Sequence, residues 1–492
     1  MKIRIAIVTD THASQADPVP SRRGAIADIL LLRAIRRLNQ WVKPDIVLFL
    51  GDMLDDGTGV GSAAQRESFK RVIGSLNCPY LIVPGNHDGD PDAFYRVFPR
   101  PPEYFDLLGF RFIAFCDPEE PGYNARRTPR DLERMRRARA GFDGPIVCVQ
   151  HVPVFPPGLS DCPYNFTNAE EVISVMREQG IFLALAGHNH EGMELVRSGN
   201  VSFAASPAVC EEPFSFLEVN IDGETIRTTR HSLQMPRNLG LVDCHVHTQF
   251  AYCSENMEIS RAMALARDFG LGGMGFAEHT GQLYFSADDF WSRRCFACGM
   301  AGARREHDRM EGYLRAVAEA DCPPQSVGLE VDCDFEGRPL LRSEDRNRVR
   351  FLIGAIHALA EHQRGTCDPA RASEAFLYRT RRLLESGVRV LAHPFRVFRR
   401  SDQPAPETLF EPLARMLRET GVAAELNFHT DAPPSEFIRL CLDAGVKFSL
   451  ASDAHNLCEI GDFTPHLDLL RACGVSSPQD VLVDPRRLTS EG

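Results

Sequence analysis

Short apolar runs alternate with amphipathic stretches along both halves of the chain. In the first half, Ile3–Val8, Ile46–Leu50 and Tyr80–Val83 read as strands. Their apolar character is continuous rather than alternating, which fits a sheet covered on both faces. Arg23–Trp41 and Ser62–Leu76 carry the spacing of amphipathic helices, the first stopped by Lys43-Pro44. Ile146–Val149 and Phe182–Ala186 continue the series of strands. The pattern then turns β-rich, with Val201–Ala205, Phe214–Val219 and Thr225–Arg230 and a hairpin turn at Asp222-Gly223.

The stretch His231–Gly240 has no clear period, holds Pro236 and Gly240, and precedes a fresh apolar start. A domain boundary there divides the chain into residues 1–236 and 240–492. In the second half, Leu241–Val242, Gly273–Phe276, Val327–Leu329, Phe351–Gly354, Val388–Ala392, Ala423–Leu426 and Lys447–Leu450 read as strands. Helical patterns such as Arg371–Ser386 and Pro412–Thr420 lie between most of them. Repeated βα units predict a barrel, and seven runs rather than eight predict a distorted (β/α)7 barrel. Phe285–Asp308, with Trp291, Arg293 and Arg294, reads as an insertion or lid loop.

Candidate metal ligands punctuate these strand ends. The first series is Asp10-Thr-His12, Gly51-Asp52, Gly85-Asn86-His87-Asp88, His151 and Gly187-His188-Asn-His190. The second is Asp243-Cys-His245-Val-His247, Glu278-His279, Glu330, His357, His393-Pro394 and Asp453-Ala-His455. Eleven of the 16 histidines fall inside these two series, an order that scattered surface histidines would not show. Asp-x-His in extended chain puts both side chains on one side, where they can meet one cation. Asp52 adds an acceptor able to bridge two cations. The mixed nitrogen and oxygen set suits Mn, Fe or Zn rather than Ca or Mg. Glycines 51, 85 and 187 permit tight turns and close backbone approach at the strand ends. In the second half, the period of two places Asp243, His245 and His247 on one side of a strand. A full ordered set of buried charges is hard to explain by packing alone, because such charges are costly unless paired or metal-bound.

Composition narrows the function classes. Apolar residues make up 43% and charged residues 25% of 492 residues, as in a globular protein of two domains. The net charge of −12 disfavours nucleic acid as a partner, although bound metals would still attract a small anionic substrate. No apolar run approaches the roughly 20 residues of a membrane span, and the start reads as a core strand rather than a signal peptide. The 15 cysteines show no framework spacing and read as reduced core residues of a cytoplasmic protein. Cys295-Phe-Ala-Cys298 is a lone CxxC and reads as incidental.

The first series resembles the calcineurin-like metallophosphoesterase family over roughly residues 1–235, including the second sheet expected after Gly-His-x-His. The resemblance implies a four-layer α/β/β/α sandwich with a dinuclear centre. By position, Asp10, His12, Asp52 and His190 would hold one metal, and Asp52, Asn86, His151 and His188 the other. His87 would contact the phosphate or protonate the leaving group, with Asp55 or Asp88 orienting it. Water activated between the two cations is the expected nucleophile, so neither serine nor cysteine is needed. The segment Ser206–Glu211 resembles the cyclic-nucleotide phosphodiesterase-like branch of the family.

The second series resembles the PHP family, named for polymerase and histidinol phosphatase, over roughly residues 241–492. The resemblance implies that His245, His247, Glu330 and Asp453 hold one metal. Glu330, His357 and His393 would hold a second, and His279 and His455 a third. Cys253 stands where the family often has a histidine. A thiolate can ligate zinc, and a packed thiol would leave the third site absent or labile. Arg396, with Arg399 and Arg400 after it, is a candidate phosphate clamp or part of a solvated loop, and His429 a candidate pocket residue.

These readings predict a bifunctional metal-dependent phosphoesterase acting on a small phosphorylated nucleotide or metabolite. Two divalent metals (Mn, Fe or Zn) are expected in the first domain and two or three (Zn, Mn or Fe) in the second. The alternatives are a nuclease, or a single active phosphoesterase whose other domain is regulatory.

Overall fold

The apolar runs of the first half become two stacked sheets in the computed structural model, which describes residues 1–17, 19–363 and 368–488. Numbered along the chain, the strands are β1 (Lys2–Val8), β2 (Ile46–Phe49), β3 (Tyr80–Ile82), β4 (Phe105–Leu107), β5 (Phe110–Ala114), a short ribbon of β6 (Glu119–Glu120) and β7 (Asn124–Ala125), β8 (Ile146–Val149), β9 (Ile181–Ala186), β10 (Met193–Ser198), β11 (Val201–Ala205), β12 (Ser215–Asp222) and β13 (Thr225–Ser232). One sheet has the order β13-β12-β1-β2-β3 and the other β10-β11-β9-β8-β5-β4. The parallel strands β1, β2 and β3 form the core of the first sheet, and the hairpin β12–β13 adds its antiparallel edge.

Alternate residues of the two sheets face each other. Ile5, Ile7 and Leu48 meet Val147, Val149, Leu183 and Leu185 in a core without solvent access. The outer face of the second sheet packs on α4 (Pro129–Arg137) and α5 (Ala169–Glu178) through Leu132, Met135, Val172 and Met176. The first sheet carries α1 (Ala27–Arg37) and α2 (Ser62–Ile73), with α3 (Pro91–Tyr95) a short turn between the sheets' strands in sequence. Layering of helices, sheet, sheet and helices therefore arises from strands buried on both faces.

The single helix expected over Arg23–Trp41 is three pieces. A 3-10 turn at Gly24–Ile26 leads into α1, and a π turn at Leu38–Val42 ends it. Lys43 closes the π turn in the left-handed conformation, φ 50°. Strands β4, β5 and β10 lie outside the sequence reading. Two of them are half-exposed edges, β4 and β10, where mixed polarity hides the strand signal.

A second compact unit begins at Met235, just after β13. Its seven parallel strands run in sequence order: β14 (Val242–Val246), β15 (Gly273–His279), β16 (Val327–Asp332), β17 (Phe351–Ala355), β18 (Val390–Leu391), β19 (Ala423–Asn427) and β20 (Phe448–Ala451). A parallel bridge between Val246 and Ala454 returns the last strand end to the first, so the sheet curls into a nearly closed seven-stranded barrel. Cys244, Ala277, Ile353, Ala355, Val390 and Ala392 fill its interior.

Strands β14, β15 and β16 extend past their apolar runs and carry His245, Glu278, His279, Glu330 and Asp332 within them. The polar ligands interrupt the apolar signal but not the strand. The insertion over Phe285–Asp308 forms two short helices, Ala287–Trp291 and Arg294–Cys298, with 3-10 turns beyond. Cys295 is buried and Cys298 exposed, and neither is in a disulfide. Among the described residues no helix is long and apolar enough to cross a membrane.

Candidate metal centres

Asp10 and His12 do not converge by the alternation of an extended strand. Strand β1 ends at Val8, and both residues adopt left-handed backbone, φ 54° and 43°. Asp52 (φ 51°), His188 (65°), His393 (26°) and Asp453 (53°) share this conformation. Six of the thirteen described non-glycine residues with positive φ are thus candidate ligands. Such backbone is costly for side chains of this kind and concentrates at functional sites. The cost is met by anchoring bonds: Asp10 N donates to Gly51 O, His12 N to Asp52 O and His188 N to Asp10 Oδ2.

Two ligand sets meet at Asp52. In the first, His12 Nε2 lies 3.2 Å from His190 Nε2, 3.9 Å from Asp10 Oδ1 and 3.6 Å from Asp52 Oδ2, with His190 Nε2 3.7 Å from Asp10 Oδ1. In the second, His151 Nε2 lies 3.4 Å from the same Asp52 Oδ2, 3.2 Å from Asn86 Oδ1 and 3.0 Å from His188 Nδ1. These are the edge lengths of coordination shells with bonds of about 2 Å. One carboxylate oxygen, Asp52 Oδ2, belongs to both.

Each histidine is oriented from behind. His12 Nδ1 faces Asp55 Oδ1 at 3.2 Å, His151 Nδ1 donates to Leu50 O at 2.6 Å, His188 Nε2 to Tyr123 O at 2.9 Å, and His190 Nδ1 meets Glu211 Oε1 at 2.9 Å. A carbonyl or carboxylate on one ring nitrogen fixes the proton there and turns the other lone pair inward. Burial lowers His12 and His188 to about 3, so both are neutral donors. Burial raises the carboxyl of Asp10. For Asp52 burial acts upward too, but His151, then His12 and His87, outweigh it and hold it anionic.

His87 donates its Nδ1–H to the backbone carbonyl of Asp55 at 2.8 Å, and its own N–H to Asp52 Oδ1 at 2.8 Å. The carbonyl of Asp55 therefore orients the ring, rather than a carboxylate of Asp55 or Asp88. Asp88 is fully buried and accepts from Leu54 N (3.1 Å) and Gly85 N (2.9 Å), which ties two ligand loops together. Burial, then Asp52, pushes its carboxyl up to about 6. A Cβ on Gly85 would stand 2.2 Å from Asp52 Oδ1, and one on Gly187 2.9 Å from Asp10 Oδ2, so neither position admits a side chain. A cavity of about 570 Å³ opens on this centre, walled by Arg22, His87, Tyr123, Tyr164 and Glu211.

The barrel gathers its set at the C-terminal ends of the strands, where loops meet the parallel strand ends. His245 Nε2 lies 3.6 Å from both Glu330 Oε1 and Asp453 Oδ1, and His247 Nε2 3.0 Å from Asp453 Oδ1. Glu330 Oε1 also meets His357 Nε2 at 3.4 Å and His393 Nε2 at 2.8 Å, so Glu330 is the shared carboxylate. His247, His279 and His455 form a third cluster. Cys253 Sγ lies 3.8 Å from His279 Nε2 and accepts from Gln282 Nε2 at 3.4 Å. Burial pushes its thiol up to about 12.

Three acidic residues stand behind these ligands, Glu278 from the ordered series and Glu425 and Asp332 from outside it. Glu425 meets His245 Nδ1 at 2.7 Å, Glu278 meets His247 Nδ1 at 3.3 Å, and Asp332 meets His357 Nδ1 at 2.5 Å. Asp332 follows Glu330 by two on the same strand, a spacing that carries the signal. Asp243 accepts from Ser452 N and Gly461 N and braces two loops instead of joining the ligands. Arg396 is committed to Asp453 and to Asn427 Oδ1. His429 sits beside His455, ring centroids 4.9 Å apart.

The donor sets fit cations by one further observation. Asp10 Oδ1, His245 Nε2 and His357 Nε2 are buried and make no hydrogen bond. Buried polar atoms are ordinarily satisfied, and all three of these face their own candidate ligand cluster.

Each half of the chain matches a known protein family. The calcineurin-like phosphoesterase family profile matches residues 3–192, and the PHP domain profile matches residues 243–429. A probable cyclic nucleotide phosphodiesterase of Synechococcus sp. is 26% identical over 214 residues, 42% of this chain and 81% of that protein. The 3',5'-cyclic adenosine monophosphate phosphodiesterase of Escherichia coli K12 is 24% identical over 225 residues, 42% and 77% of the two chains. Among solved structures, a dimetal phosphatase from Danio rerio aligns at TM-score 0.37 and 16% identity, covering 47% of this chain and 98% of that one. The chain joins a calcineurin-like phosphoesterase domain to a PHP domain and is a metal-dependent phosphoric ester hydrolase.

Proposed function

We propose that the chain is bifunctional, with a phosphodiesterase centre in the first unit and a phosphomonoesterase centre in the barrel that takes the first product. The observation that carries this reading is the pair of shared carboxylates. Asp52 Oδ2 reaches both His12 and His151, and Glu330 Oε1 reaches both His245 and His393. Each unit thus has its own bridged ligand set.

In the first unit, Asp10, His12, Asp52 and His190 would hold one divalent metal, and Asp52, Asn86, His151 and His188 a second, drawn from Mn, Fe or Zn. In the barrel, His245, His247, Glu330 and Asp453 would hold one, and Glu330, His357 and His393 another. His279, His455 and Cys253 would complete a third, drawn from Zn, Mn or Fe. When bound, such cations acidify water and neutralise phosphoryl charge. The protein supplies the rest. The Asp55 carbonyl aims His87 at the phosphoryl group, and Tyr123 and Tyr164 offer an aromatic wall, ring centroids 6.5 Å apart, for a base. The names of the relatives support a nucleotide diester as the substrate.

In the barrel, Arg400 is the phosphate contact. Solvent reaches it, and among the described residues no carboxylate pairs with its guanidinium, whereas Arg396 is already held by Asp453. Arg400 lies one turn after Arg396, its N–H donating to Arg396 O at 2.9 Å. His429 is the second proposed contact, its ring centroid 4.9 Å from that of His455.

The test measures rates on cyclic AMP and on AMP for Asp52→Ala and His245→Ala. Each substitution is expected to cost its own reaction at least about a hundredfold and leave the other intact. Loss of both reactions from either substitution contradicts the assignment.

A further inference from the structure

The first unit has a second cavity, of about 530 Å³, lined by Arg100, Arg130, Arg134 and Arg137 with only Glu103 and Asp131 as acids. Arg130, Arg134 and Arg137 lie on one face of α4, spaced by four and three residues. Like charges at that spacing repel each other along a helix. The acids present do little to offset this. Arg137–Glu103 (3.5 Å) and the neighbouring Arg100–Asp92 pair (2.7 Å) are more than half exposed, and pairs of that kind contribute little. Among the described residues no carboxylate pairs with Arg130. Arg134 Nε is buried and has no hydrogen-bond partner, although its other nitrogens reach Ala114 O and Asp131.

The cavity adjoins another that borders candidate ligands of the first centre. Cys116 lines it and also lines a neighbouring cavity of about 530 Å³. That neighbour is bounded by the ligands Asn86 and His151 and by Thr128, the N-cap of α4. Tyr123 stands between it and the cavity that holds Arg22 and His87. Asn86 and His151 therefore border a cavity that shares Cys116 with the arginine-lined one.

We propose that the arginine-lined cavity is an anion subsite for a phosphate carried on one ester substituent of the substrate. The inference rests on the diesterase reading of the first unit. A guanidinium fork matches phosphate oxygens in pairs, and the exposed forks of Arg130 and Arg137 on one helix face would relieve their mutual repulsion on an anion. The substrate class is then a phosphodiester that bears a second phosphate, such as a 5'-phosphorylated dinucleotide, rather than a cyclic mononucleotide alone.

The test compares the linear dinucleotides ApA and pApA on the manganese-loaded full chain and on the variant R130Q/R137Q, whose two substituted side chains are exposed. KM for pApA is expected to lie about tenfold below that for ApA, and the variant to abolish that difference while leaving ApA unchanged. Equal KM values, or a variant that changes both substrates alike, overturn the subsite. If neither dinucleotide is cleaved, the diesterase reading fails and calorimetry decides the subsite separately. Tighter binding of pApA than ApA that disappears in R130Q/R137Q supports it, and equal affinities overturn it.

Discussion

Glu425 holds His245 at 2.7 Å, carboxylate to Nδ1, between the first and sixth strands of the barrel. The same carboxylate accepts from His393 N at 2.9 Å and Asn427 Nδ2 at 3.0 Å. It therefore sets the tautomer of one ligand and the backbone of another. Glu425→Gln would turn an amide N–H toward one of these three donors. Metal affinity of the barrel is expected to fall by about 10- to 100-fold, with the first unit still loaded. Elemental analysis after dialysis against a graded chelator reads the difference.

Gly85→Ala tests the crowding at the first centre. A Cβ there would meet Asp52 Oδ1 at 2.2 Å and His151 Cε1 at 2.7 Å, and backbone and both ligands would have to shift. Diesterase activity is expected to fall at least about a hundredfold, since displacements of about 1 Å cost that much. Monoesterase activity is expected to persist, and its loss would show that the two units are coupled.

His466 makes the stability of the barrel depend on pH. It is buried against Phe428 and Phe463, donates from Nε2 to Ala451 O at 3.0 Å, and burial lowers it to about 4 from 6.5. Between those values the unfolded chain binds the proton and the folded chain does not. This contribution is fully present above about pH 6.5, is lost as pH falls toward 4, and amounts to ~3 kcal/mol. His466→Gln removes the titrating group, so the melting temperature of the metal-free chain should fall less steeply over that range than in the wild type. Parallel curves would contradict the assignment.

The Arg127–Asp117 pair gives a separate test of the sandwich. Its bonds are 2.6 and 3.0 Å, both side chains are nearly inaccessible, and the guanidinium lies 3.4 Å over Phe115. Arg127→Met strands a buried carboxylate and is expected to destabilise the first unit by about 3–5 kcal/mol. Chemical denaturation followed by circular dichroism measures the loss.

Much of this architecture was legible because parallel strands buried on both faces announce themselves as apolar runs, and because ligands cluster where those runs stop. Strand β11 and the seven barrel strands were visible for that reason. Edge strands such as β10, with only one buried face, were not. The candidate ligands were legible as residue types in order, but the way Asp10 and His12 converge was not. It depends on left-handed backbone after β1, which no alternation of polarity encodes. The acids behind the ligands were also hidden, since Glu425 and Asp332 look like ordinary strand residues until the barrel brings them against His245 and His357. The commitment of Arg396 to Asp453, which leaves Arg400 free, likewise required the fold.

Two independent centres acting in sequence would carry a cyclic nucleotide through to its nucleoside. The most direct test of this sequence is chromatographic analysis of the products of cyclic AMP with the wild-type chain and with His245→Ala. Adenosine and phosphate are expected from the wild type, and accumulation of AMP from His245→Ala. Wild-type turnover that stops at AMP, or adenosine formed as fast by His245→Ala, would contradict it.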